Sequence, residues 1–131
     1  MLQVMSNLDS PEELQREMAS VPRLVVHFTA SWNGRYDSEM QHRLEPLRTH
    51  YHPRIRFATA DADAEGFWPL LREWRVLNLP ALVCFAFGYH IRTVVGLRSE
   101  HQLIELFDAL AATAEHDSVA PTAGCNSSRV T

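Results

Sequence analysis

The sequence predicts an α/β domain, with a central mixed sheet of four to five strands and helices on both faces. Three observations predict it. Strand-like and helix-like segments alternate along the chain, which implies parallel strands joined by crossover helices. Two runs, Leu24–Phe28 and Ala81–Ala86, are apolar almost throughout, as strands buried on both faces are. A closing hairpin, Ala81–Ala86 with Ile91–Val95, adds an antiparallel edge.

The elements follow in order. Leu2 to Met5 is a short, weak first strand. Ser10-Pro11-Glu12-Glu13 opens a helix: serine caps free N–H groups, proline suits the first helical position, and Glu13 completes a capping box. Leu14 and Met18 give that helix an apolar face, and Val21-Pro22 ends it. After the Leu24–Phe28 strand, Thr29 to Gly34 is a loop. From Arg35 the pattern is helical, with Met40, Leu44, Leu47 and Tyr51 on one stripe. Pro46 inside the stripe should kink the helix, and His52-Pro53 closes it. Ile55 to Thr59 alternates apolar and polar like a strand, and the acidic loop Asp61, Asp63, Glu65 follows. Phe67, Leu70, Leu71 and Trp74 space as a short helix with Pro69 near its start. Then come the Ala81–Ala86 strand, a turn at Gly88-Tyr89-His90, and the returning strand Ile91–Val95. Ser99 to Gln102 is a second capping box, opening a last helix with Leu103, Leu106, Phe107 and Leu110. Beyond it, residues 115–131 have few large apolar side chains and are expected to be a disordered tail to a domain over 1–114.

Composition narrows the function classes. All 12 basic residues are arginine, which fits the codon bias of a GC-rich genome, and the net charge is −4. Without a basic field, nucleic-acid binding is not expected. No apolar run approaches the roughly 20 residues that cross a bilayer, and the first residues carry no signal-peptide pattern. A cytoplasmic protein with no membrane association is expected. The two cysteines, Cys84 and Cys125, form no C-x-x-C pair and no disulfide framework. His50 and His52 flank Tyr51, but two imidazoles fall short of a structural metal site. The Asp61–Glu65 loop lacks the glycine and the later glutamate of a calcium loop. No metal and no cofactor are expected.

Four local signals in this order resemble the thioredoxin family. The first is Val25-Val26-His27-Phe28-Thr29-Ala30-Ser31-Trp32, a buried strand ending in A-x-W. The second is Asp61-Ala62-Asp63, and the third is Arg75-Val76-Leu77-Asn78-Leu79-Pro80-Ala81-Leu82. The fourth is the hairpin ending in Val95-Gly96. The resemblance covers roughly residues 2 to 112. It implies a thioredoxin fold, a cis peptide bond before Pro80, and a redox loop at Asn33-Gly34-Arg35-Tyr36. The family has C-G-P-C there; this chain keeps only the glycine. It also implies that His27 occupies the position of the family's buried proton carrier.

Thioredoxin chemistry needs an attacking thiolate and a resolving thiol. Asn33 and Tyr36 supply neither, so no catalytic residue is assigned and dithiol–disulfide activity is not expected. The residual site is a degenerate loop, Trp32, Asn33, Gly34, Arg35 and Tyr36, beside a groove at Leu79 and Pro80. The expected role is a protein- or peptide-binding module, chaperone-like or scaffolding, acting as a monomer or weak dimer. The alternative is an atypical thiol oxidoreductase or redox-homeostasis protein using a single cysteine.

Overall fold

A computed structural model describes residues 6–114. The expected strand at Leu2–Met5, the tail 115–131 and Cys125 lie outside the described residues. The first described strand is β1 (Ser6–Leu8). It is followed by α1 (Pro11–Ser20), β2 (Arg23–Thr29), a single 3-10 turn at Ser31–Asn33, and α2 (Gly34–Tyr51). Then come β3 (Arg56–Asp61), α3 (Trp68–Glu73), β4 (Ala81–Ala86), β5 (Tyr89–Val95) and α4 (Glu100–Ala111). The five strands form one sheet in the order β1-β3-β2-β4-β5. The β1–β3 and β3–β2 pairs are parallel, and the β2–β4 and β4–β5 pairs are antiparallel.

Alternation along the strands splits the core in two. On one face Leu24, Val26, Phe28, Ala58, Ala60, Val83 and Phe85 pack with Leu14 of α1 and with Phe67, Leu71 and Trp74 around α3. On the other, Val25, Phe57, Leu82 and Cys84 pack with Met40, Leu44, Leu47 and Tyr51 of α2 and Leu103, Phe107 and Leu110 of α4. β2 is buried between the two layers, which is why its centre is apolar but for His27. Each fully buried large apolar side chain contributes about 1.5–3 kcal/mol. Phe107 anchors the second layer, meeting Tyr51 and Phe57 edge-to-face at centroid distances of 5.6 and 5.1 Å.

The caps form largely as the sequence predicts. Ser10 Oγ accepts the Glu13 N–H at 3.2 Å. The Glu13 carboxylate reaches back one residue further than a capping box requires, accepting from the Asp9 N–H at 2.7 Å. At α4 both bonds of the box form: Gln102 N–H to Ser99 Oγ and Ser99 N–H to Gln102 Oε1. α2 runs from Gly34, one residue before Arg35, and continues through Pro46 to Tyr51.

Two expectations need correction. The hairpin turn is not Gly88-Tyr89-His90 but Phe87-Gly88, with Tyr89 and His90 already in β5. Phe87 and Gly88 both have positive φ, 53° and 86°. Positive φ at both central positions is the type I′ geometry, which matches the strand twist. Phe87 tolerates it while its N–H donates to Pro22 O and its ring lies under the Arg23 guanidinium. The Thr29–Gly34 loop, in turn, is not irregular throughout, because Asn33 N–H to Ala30 O closes the 3-10 turn.

Candidate functional site

The loop between β2 and α2 is held from below by a carboxylate. Ala30 is extended, and Asn33 stands at φ −114°, ψ 26°, just before α2. Asp37, one turn into the helix, accepts the Ala30 N–H at 2.8 Å and the Asn33 Nδ2–H at 3.1 Å. Its side chain is buried, and the positive end of the helix dipole favours its charge. Gly34 is not required by crowding: nothing lies within 4 Å of where a Cβ would stand, and its φ of −54° is helical.

A second tether crosses from the β3–α3 loop. Trp32 Nε1–H donates to Asp63 Oδ2 at 2.9 Å, and the Asp63 N–H donates to Asp61 Oδ1. The Ala62 N–H donates to Thr29 O at 2.7 Å, joining the two loops at their bases. The indole is therefore oriented by a hydrogen bond while its ring stays 65% exposed. Tyr36 is also half-exposed, and Arg35 is exposed.

Across a shallow depression stands the segment before β4. Leu77 is 79% exposed, Leu79 is partly buried and Pro80 is buried. The Leu79–Pro80 peptide bond is cis. Pro80 O accepts the Gly96 N–H at 2.7 Å, tying this segment to the end of β5. The depression has a volume of about 110 Å³ and is lined by Trp32, Ala62, Asp63, Trp68, Leu77 and Leu79, among others. Trp68, 59% exposed, completes an apolar rim around a single carboxylate.

His27 does not reach this surface. It is fully buried on β2, with Nδ1 3.2 Å from Gln41 Oε1 of α2. With the amide oxygen toward the ring, Nδ1 carries the hydrogen. Nε2 is buried and has no hydrogen-bond partner. Desolvation lowers the imidazole's pKa, and the Gln41 hydrogen bond and the nearby Asp37 charge oppose that shift. The ring is therefore held neutral. Behind it the chain of polar contacts continues along α2: Gln41 Nε2–H donates to Glu45 Oε2, and Arg48 Nη2–H donates to Glu45 Oε1. The Arg48 guanidinium lowers the Glu45 pKa.

Cys84 sits mid-strand in β4 and is 1% exposed. Burial pushes its thiol up to about 12, although the Arg92 charge acts the other way. So little thiolate forms at neutral pH that it cannot serve as a ready nucleophile.

The structure thus gathers Trp32 with the Leu77–Leu79 segment into one surface and leaves His27 beneath it. Sequence reasoning missed one member of this site. Trp68 carried no motif and was legible only as one aromatic at the start of a short helix. Asp37 was legible as a polar group of the loop, and its i, i+4 spacing from Asn33 across a helix start is the spacing of the bond that forms.

No family model and no curated protein matches the sequence. Solved structures do match it. Mitochondrial thioredoxin 3 of Saccharomyces cerevisiae, in its oxidised form, is 26% identical with a TM-score of 0.69, over 81% of this chain and 95% of its own. A structure from work on thiol resolution in the yeast mitochondrial 1-Cys peroxiredoxin by the glutathione and thioredoxin systems is 25% identical, with the same TM-score and coverage. A point mutant of thioredoxin from Halobacterium salinarum is 22% identical, with a TM-score of 0.70 over 86% of this chain and 99% of its own. The fold of this chain is the thioredoxin fold. Among the described residues, no helix is long and apolar enough to cross a membrane.

Proposed function

We propose that this thioredoxin-fold chain is a binding module without dithiol chemistry, holding an extended segment of a protein partner in the depression between Trp32, Trp68 and Leu77. The observation that carries the reading is the apolar rim itself. Three large side chains, 65%, 59% and 79% exposed, surround one small depression, and clustered exposed apolar surface of this kind marks binding sites. Trp32 is held in place by Asp63, so its ring is ordered before a partner arrives. Asn33 and Tyr36 stand where the resemblance puts the redox cysteines. An amide and a phenol cannot form and resolve a mixed disulfide. A single-cysteine oxidoreductase would need an accessible thiolate, and the burial of Cys84 argues against it as that group. The module acts in the cytoplasm as a monomer or weak dimer.

Two measurements test this reading. Insulin should not be reduced with dithiothreitol as donor. Extended peptides should be retained on an array of short sequences, and Trp32→Ala should weaken their capture by about tenfold or more, because a central aromatic in an interface is worth about 2 kcal/mol. The melting curve should change little, since the ring is mostly solvated. Insulin turnover by the wild-type chain would refute the first half of the proposal. Undiminished capture by a folded Trp32→Ala variant would refute the second.

A further inference from the structure

The sheet has a second open feature, at its far edge. Among the described residues β5 is an outermost strand, and one side of its backbone has no strand partner there. Such an edge is a template for another strand, and proteins commonly blunt it with a bulge. Here only half is blunted. His90 pairs with Phe85 and Arg92 with Cys84, which leaves Ile91 as the extra residue of a bulge. From Arg92 to Val95 the register is continuous.

Beside that regular half lies a cleft of about 290 Å³, lined by Arg92, Val94, Arg98, Gln102, Leu106 and Ala109, among others. Arg92 and Val94 oppose Cys84 and Leu82, which belong to the α2–α4 face of the sheet. The cleft is therefore on the side into which alternate residues of an added strand would project. Its charge is unbalanced. Among the described residues, neither Arg92 nor Arg98 forms an ion pair. Arg98 gives one Nη2–H to Val95 O, and its Nε is buried without a partner. The acid at the cleft, Glu105, faces His101 at 3.2 Å.

We propose that the Arg92–Val95 edge takes up an extended peptide segment as a sixth strand, and that the segment carries acidic and apolar residues on one face. Side chains two apart in a strand share a face, so a carboxylate can meet the two guanidiniums while its neighbour rests on Leu106 and Ala109. A second copy of this chain is the poorer occupant, because its own edge strand carries an arginine and no carboxylate. This surface is separate from the Trp32 depression and does not depend on it.

The test uses a short fluorescein-labelled peptide alternating valine and glutamate, read by fluorescence anisotropy against the full chain. The peptide should bind. Its lysine-for-glutamate analogue, and Arg92→Glu in the protein, should each weaken binding by at least about tenfold. Methylating alternate peptide nitrogens on the ladder side should abolish it, whereas Trp32→Ala should leave it unchanged. Arg92 is exposed, so the variant's melting curve should overlay the wild type. The proposal is overturned if the glutamate peptide fails to bind, if its lysine analogue or methylated form binds equally well, or if Arg92→Glu has no effect. Loss of binding in Trp32→Ala would overturn it too, by moving the peptide to the other surface.

Discussion

At the scale of single residues, His27 shows what burial does to a titratable group. An imidazole with an ordinary pKa of 6.5 is held neutral here by desolvation, and His90 is shifted in the same direction for the same reason. A lowered folded-state pKa means that the unfolded chain takes up protons first as pH falls. The stability these groups allow is therefore full above about 6.5 and declines as pH drops through and below that value. The Glu45 carboxylate, lowered by Arg48, loses its contribution in a separate window below 4.5. His27→Gln should flatten part of the slope in melting temperature just below pH 6.5 and leave the lower window unchanged. An unchanged slope in the upper window would show that His27 does not carry the linkage. The burial of His27 was legible, because apolar residues flank it on both sides in Leu24–Phe28. Its partner Gln41 was not, since the pairing spans a strand and a helix 14 residues apart.

At the scale of elements, the sequence was most legible where local chemistry and tertiary context agree. The Ala81–Ala86 strand and the α4 capping box fall where their residues place them. The stripe Met40, Leu44, Leu47, Tyr51 is buried in full. The hairpin turn was misplaced by a residue because glycine draws attention to itself. The positive φ shared by Phe87 is paid for by contacts to Pro22 and Arg23, which lie far away in sequence. The α4 cap gives a direct measure of local contribution. Ser99→Ala removes the acceptor for the Gln102 N–H and should destabilise the domain by about 1 kcal/mol in a denaturant titration. A change near zero would mean that solvent replaces the cap without loss, as the exposure of this helix start permits.

At the scale of the whole molecule, the scaffold and the loop it carries can be separated by experiment. Two packed layers hold β2 and α2, and neither core cluster includes residue 33 or 36. If that scaffold retains the geometry its structural relatives use, the chain with both Asn33→Cys and Tyr36→Cys should form an internal disulfide and reduce insulin. The gain should be partial, for a reason visible at the loop. Asp37 lies 3.1 Å from the Asn33 amide nitrogen, so its carboxylate would face a thiol introduced there and disfavour the thiolate that must attack. Adding Asp37→Asn removes that charge and keeps an oxygen for the Ala30 N–H. The triple variant should therefore be faster than the double one, and its thiol should react with iodoacetamide at lower pH. A double variant that is folded but forms no disulfide would show that this loop has left the shape of its relatives. A triple variant no faster than the double would acquit Asp37 of limiting the rate.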